Sequence, residues 1–111
     1  MDNVAEYRHL IACLFEKWID WPGPQSKFRV EAILDEKNDR YLLVMVGWDK
    51  FRRIHDVLVH VEIIDGKIWI QRDDTKQGFA AELLEAGVPK ECIVLAFYPE
   101  AMRQYGDFAI A

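Results

Sequence analysis

Asp65-Gly66 stands between two runs rich in β-branched and aromatic residues, and it restricts the fold more tightly than any other dipeptide in the chain. A two-residue link between strands calls for a type I′ turn, with positive φ at both central positions, and Asp-Gly is among the few pairs that accept it. Because side chains alternate faces along a strand, so short a turn also fixes the pairing register. Ile63 is set against Ile68, Val61 against Ile70, Glu62 against Trp69 and His60 against Gln71. One face of the hairpin is then apolar, made of Val57, Val59, Val61, Ile63, Ile68 and Ile70. The other carries His60, Glu62, Lys67, Trp69 and Gln71 and, continued, Asp73. A chain holding this hairpin must supply elements that cover its apolar side.

The flanking segments supply them. From Asn3 to Trp18, Val4, Tyr7, Leu10, Ile11, Leu14, Phe15 and Trp18 recur at three- and four-residue steps with charged residues opposite, the pattern of an amphipathic helix. Pro22, Gly23 and Pro24 stop it. Phe28 to Asp35 alternates as a half-buried strand, a polar turn follows over residues 36–39, and Arg40 to Trp48 is apolar enough for a mid-sheet strand covered on both faces. Lys50, Arg52 and Arg53 form a basic turn before the long strand Ile54 to Ile64. Asp74 with Gln77 resembles a capping box opening a second helix, whose buried stripe is Phe79, Ala80, Leu83 and Leu84. Gly87 and Pro89 end that helix. Cys92 to Phe97 reads as a short strand, Pro99 opens a brief helix through Tyr105 with Gly106 at its C-cap, and the tail from Asp107 to Ala111 is apolar enough to dock. The expected fold is α+β: an antiparallel sheet of about four to five strands with the N-terminal helix and a second helix packed on it, one domain over residues 1–111.

Composition limits the functional classes. The 111 residues are 51% hydrophobic and 30% charged, so a core and a solvated shell both form without a disulfide framework. With 14 basic against 19 acidic side chains the net charge is −5, which opposes direct DNA binding beyond weak contact. Cys13 and Cys92 lie far apart and outside any CxxC spacing, the usage expected in the reducing cytoplasm. Asp2 and Glu6 occupy the place where a secretory signal needs positive charge, and no apolar run approaches the ~20 residues of a membrane span. A cytoplasmic protein is expected, without membrane attachment.

None of the well-understood catalytic or nucleotide-binding motifs occurs. His60, Glu62 and Asp73 on the polar hairpin face would combine a group that titrates near neutrality with carboxylates to orient it, and adding Asp74 gives a small metal-dependent or acid/base hydrolase as an alternative function. A wet sheet face or an interface is the simpler reading, and Trp69 favours the interface because a large aromatic there needs cover from a helix, a second subunit or a partner. A symmetric homodimer is one such arrangement. His9 and Cys13 have helical spacing for two metal ligands, but two ligands do not make a site, and no metal or cofactor is assigned. Asp73 and Asp74 precede a helix, where acidic residues ordinarily cap exposed N–H groups. Lys50, Arg52 and Arg53 around Phe51 form the one candidate nucleic-acid contact, with too few charges for more than salt-sensitive binding. His55, in register with Val57, is expected to be buried.

Taken in order, Val46-Gly47-Trp48, the segment Ile63 to Gln71, Glu85-Ala86-Gly87-Val88-Pro89-Lys90, Ile93-Val94-Leu95 with Phe97, then Pro99-Glu100, Arg103 and Phe108-Ala109-Ile110-Ala111 resemble the XisI family over nearly the whole chain. The resemblance implies a controlling factor for excision of the fdxN element, a DNA segment removed from the cyanobacterial chromosome during heterocyst differentiation. In such systems a separate recombinase cuts and rejoins the DNA, and XisI acts beside a second accessory protein, XisH. The implied role is non-enzymatic, exercised through contacts with an XisH-type protein or a recombinase complex, and it brings no catalytic residues and no cofactor.

Overall fold

The computed structural model describes residues 3–111. Helix α1 (Val4–Ile19) leads into β1 (Phe28–Asp35), β2 (Arg40–Asp49), β3 (Arg52–Ile64) and β4 (Lys67–Asp73), followed by α2 (Phe79–Glu85), a turn of 3-10 helix (Lys90–Cys92), β5 (Ile93–Leu95) and α3 (Glu100–Arg103). The strands form one sheet in the order β1-β2-β3-β4-β5. The first four make the expected antiparallel meander, and β5 joins β4 in parallel. That direction follows from the connection: a chain returning to the same sheet edge through a helix arrives parallel. Among the described residues no helix is long and apolar enough to cross a membrane.

The Asp65-Gly66 turn is as its sequence requires, with φ of 50° and 77°. Ile63 meets Ile68, Glu62 meets Trp69 and Val61 meets Ile70. The register then slips, because a bulge lets Gln71 drop out and places His60 against Arg72 and Val59 against Asp73. The expected His60–Gln71 pair is therefore not formed. A second irregularity in β3 sets Leu43 against Val59 but Val44 against Val57, leaving Leu58 as the extra residue. A bulge exchanges the faces of everything beyond it. Leu58 is accordingly buried in the core while Val57 turns to the other side of the sheet. His55, two residues further, goes with Val57 and is exposed, which corrects the expectation that it is buried.

On the core face Tyr7, Ile11, Leu14 and Phe15 of α1, with Phe79 and Leu83 of α2, close over Val30, Tyr41, Leu43, Leu58, Val59, Val61, Ile63, Ile68, Ile70 and Ile93. Both helices thus lie on one side of the sheet, joined by the tilted rings of Phe15 and Phe79 at 5.5 Å. Trp18 Nε1 donates to Glu82 Oε2 at 3.2 Å, and Lys17 Nζ stands 3.5 Å from Glu82 Oε1. Strand β2 is interior, as its composition suggested, and Val44 and Val46 are buried on the face away from the helices. Gly47 has a different task. A Cβ there would collide with the Lys27 carbonyl oxygen and Phe28 Cα, so only glycine lets β1 approach.

Asp39, at φ 54° in the β1–β2 turn, ties α1 to the sheet. Arg8 grips its carboxylate with Nε at 2.7 Å and a terminal nitrogen at 3.0 Å, and the Tyr41 hydroxyl donates at 2.9 Å. The Arg8 hydrogen bonds hold the Asp39 carboxyl below the usual carboxylate range. Burial pushes the Tyr41 phenol up to about 12. Because folding lowers the Asp39 pKa, its contribution is complete above the ordinary carboxylate range and fades as pH falls through the folded value. Asp39→Asn should destabilise the protein by about 1–2 kcal/mol near neutrality, and the gap to wild type in denaturant titrations should narrow below pH 4. Gly47→Ala should destabilise the protein further, by about 2–3 kcal/mol, read as a lower denaturation midpoint.

Candidate functional site

The face of the sheet opposite the helices holds most of the residues singled out from the sequence. Strand alternation places Arg40, Glu62 and Trp69 side by side on neighbouring strands, with Lys67 two residues before Trp69 and His60 two residues before Glu62. Glu62 is the centre of this group. Its side chain is 13% exposed, Oε2 lies 2.8 Å from Arg40 Nε, and Oε1 lies 3.6 Å from His60 Nε2. A nearly buried carboxylate needs such partners, and two flanking nitrogens supply them.

Trp69 is covered from within the chain. The Arg103 guanidinium sits 5.5 Å from the Trp69 ring centroid. Arg103 Nε donates to the Tyr98 carbonyl at 3.0 Å, and its terminal nitrogens donate to the carbonyls of Ile110 at 3.0 Å and Ala96 at 3.5 Å. One guanidinium therefore gathers the turn after β5 and the tail onto the tryptophan, using the rigid fork of donors that arginine alone provides. The tail continues the clamp: Ala109 bridges Val94 beyond β5, and Lys67 Nζ donates to the Ala111 carbonyl. Beside Arg103 a cleft of about 200 Å³ opens between Leu95, Tyr98, Met102, Tyr105 and Phe108. Its rim is apolar and exposed, most of all at Met102 (57%) and Tyr105 (79%). Trp69 Nε1 is buried without a hydrogen-bond partner. Arg103 was missed in the sequence as a site residue, since nothing in its neighbours announces that it reaches back across the sheet.

Two of the expected face residues are elsewhere. Gln71 is the bulged residue and loses its place opposite His60. Asp73 has moved to the helix side of the sheet, where its Oδ1 accepts from the backbone N–H and hydroxyl of Thr75 at 3.0 and 2.6 Å and its Oδ2 accepts from Phe79 N. It is Asp73, reaching across Gly78, that caps α2, in place of the Asp74–Gln77 box expected from the sequence. Asp74 instead pairs with Arg72 at 2.8 Å. Of the four side chains in the hydrolase alternative only His60 and Glu62 come together, and the bulge directs Asp73 away. His9 Nε2 and Cys13 Sγ are 3.5 Å apart. Among the described residues no three His, Cys, Asp or Glu side chains are grouped as metal ligands.

The β2–β3 loop is shorter than the basic cluster suggested. Only Lys50 and Phe51 form it, and Arg52 and Arg53 belong to β3. Arg53 lies over the Trp48 ring at 5.0 Å, Arg52 faces Asp49 at 4.0 Å, and Phe51 is 99% exposed.

The architecture is that of a mixed α+β domain presenting a sheet face half-covered by its own C-terminal segment. The chain belongs to the XisI family: the model of the XisI protein matches residues 1–110. It is similar to a XisI-like protein from Anabaena variabilis ATCC 29413 of known crystal structure, with 34% identity and a TM-score of 0.90 over 97% of this chain and 99% of that one. The fdxN element excision controlling factor XisI from the same organism is also 34% identical, with a TM-score of 0.83 over 99% of this chain and 100% of that one. No curated protein sequence matches.

Arg103→Ala should free the C-terminal segment while leaving the helix side intact. Hydrogen exchange should then quicken at Ala109 and Ala96, whose amides bond to Ile93 and Ile70, with little change at Val59 and Val61. Equal protection at Ala109 in both proteins would show that the clamp is not what holds the tail.

Proposed function

We propose that this protein is a controlling factor for excision of an fdxN-type DNA element and that it works through protein contacts, without catalysing a reaction of its own. The observation that carries the reading is the end-to-end likeness, at 34% identity, to a protein identified as the fdxN element excision controlling factor XisI. The geometry of the sheet face supports contact over catalysis. Glu62 is engaged by Arg40 and His60, Asp73 is committed to capping α2, and the groups best placed to meet another molecule are the half-buried Trp69, Lys67 and the apolar rim of the Arg103 cleft. Aromatic anchors flanked by paired charges are what protein interfaces use.

The partner proposed is an XisH-type protein, with a recombinase complex reached through it. Purified protein mixed with the XisH-type protein of the same genome should elute as a single complex in size exclusion coupled to light scattering. Glu62→Lys, which sets a cation between Arg40 and His60, and Trp69→Ala should each weaken the complex about tenfold or more, with far-ultraviolet circular dichroism unchanged. Undiminished association of both variants would remove this face from the contact.

A further inference from the structure

The two edges of the sheet are treated differently. Beyond β5 the tail bridges Val94 through Ala109, so that edge is closed by the chain itself. Strand β1 at the other edge runs eight residues without a proline, glycine or bulge, and β2 is its one partner among the described residues. Large apolar side chains stay exposed on both of its faces, Ile33 at 48% and Leu34 at 44%. Proteins ordinarily blunt such an edge, and a long uncovered one is a template for another strand.

The free hydrogen-bonding groups can be assigned. Trp48 N donates to the Lys27 carbonyl at 3.1 Å, so Lys27 and Trp48 form a hydrogen-bonded pair. In an antiparallel ladder these pairs alternate. Arg29, Glu31, Ile33 and Asp35 therefore turn their backbone groups to β2, while those of Val30, Ala32 and Leu34 point outward. The ladder is bounded at both ends: Phe28 N is already taken by the Ser26 hydroxyl at 3.2 Å, and Asp35 accepts from Asn38 N at 3.1 Å to begin the turn. The open segment is thus residues 30–34, with its centre at Ala32.

We propose that β1 pairs antiparallel with β1 of a second copy about a two-fold axis at Ala32, giving a continuous ten-stranded sheet. In that register Val30 lies against Leu34 of the other copy, Ala32 against Ala32, and Arg29 against Asp35, so both exposed strand ends exchange opposite charges. Moving the axis by one residue, to Glu31, would set Glu31 against Glu31, which like-charge repulsion disfavours. Moving it to Val30 would demand the Phe28 amide that Ser26 already holds. Leu34 gains an apolar neighbour, and the Ile33 side chains of the two copies become diagonal neighbours on the other face. A contact of one strand pair buries less than about 1,200 Å², so the dimer depends on concentration.

The test uses disulfide trapping in the full chain with Cys13 and Cys92 replaced by serine. Residues facing each other as a hydrogen-bonded antiparallel pair have Cα atoms about 5.5 Å apart, within the about 4.4–6.8 Å that a disulfide spans. Ala32→Cys should cross-link under mild oxidation about tenfold faster than Glu31→Cys or Ile33→Cys alone, and a mixture of those two should cross-link with each other. In the wild-type background the dimer fraction seen by light scattering should rise with concentration, and Arg29→Asp, which meets Asp35 with like charge, should lower it. Ala32→Cys trapping no faster than Glu31→Cys overturns the proposal, whether the protein is then monomeric or associates through another surface.

Discussion

The pairing of β3 with β4 at Asp65-Gly66 is the constraint on which the rest of the structure depends. It sends Val61, Ile63, Ile68 and Ile70 to the face where α1 and α2 lie and leaves Glu62 and Trp69 on the other. A one-residue slip of β3 would put Glu62 under the helices, where its charge would have neither water nor Arg40, and would turn Val61 and Ile63 to solvent. The turn geometry and the burial pattern exclude that slip together. Arg8, Asp39 and Tyr41 then fasten α1 to the β1–β2 turn, and Glu82 fastens α2 to α1.

Much of this arrangement was legible in the amino-acid sequence because it obeys simple periods. The 3.6-residue recurrence from Val4 to Trp18 and the alternation along Phe28 to Asp35 need no tertiary information to read. What was not legible lies where a period breaks. The extra residues Leu58 and Gln71 carry no local signature, since a bulge is decided by how two strands fit together and not by either one. Through them Asp73 passed from the candidate face to a helix cap, and His55 passed from expected burial to solvent. Arg103 was hidden for another reason. Its three carbonyl partners and Trp69 are brought to it only by the fold, so no spacing announces the clamp.

The bulge at Gln71 shapes the functional reading. Without it His60, Glu62, Gln71 and Asp73 would fall in a row across one face, with an imidazole beside two carboxylates. With it the row ends at Glu62, which lies 2.8 Å from Arg40 Nε and 3.6 Å from His60 Nε2. A carboxylate held in this way is suited to fixing the shape and potential of a surface.

The way the C-terminal segment is fastened suits the contact role proposed above. Arg103 holds its turns by backbone carbonyls, leaving Phe97, Tyr98, Met102 and Tyr105 free to face outward. Anchoring through the backbone lets the apolar side chains be displayed without lending any of them to the clamp, and a displayed set is already ordered before a partner arrives. Such ordering lowers the conformational entropy lost on association. The sheet below serves the same end: its helix side is packed for stability, and its opposite side carries a rigid aromatic platform and one balanced charge cluster. The main core and the proposed contact surface thereby lie on opposite faces of one sheet.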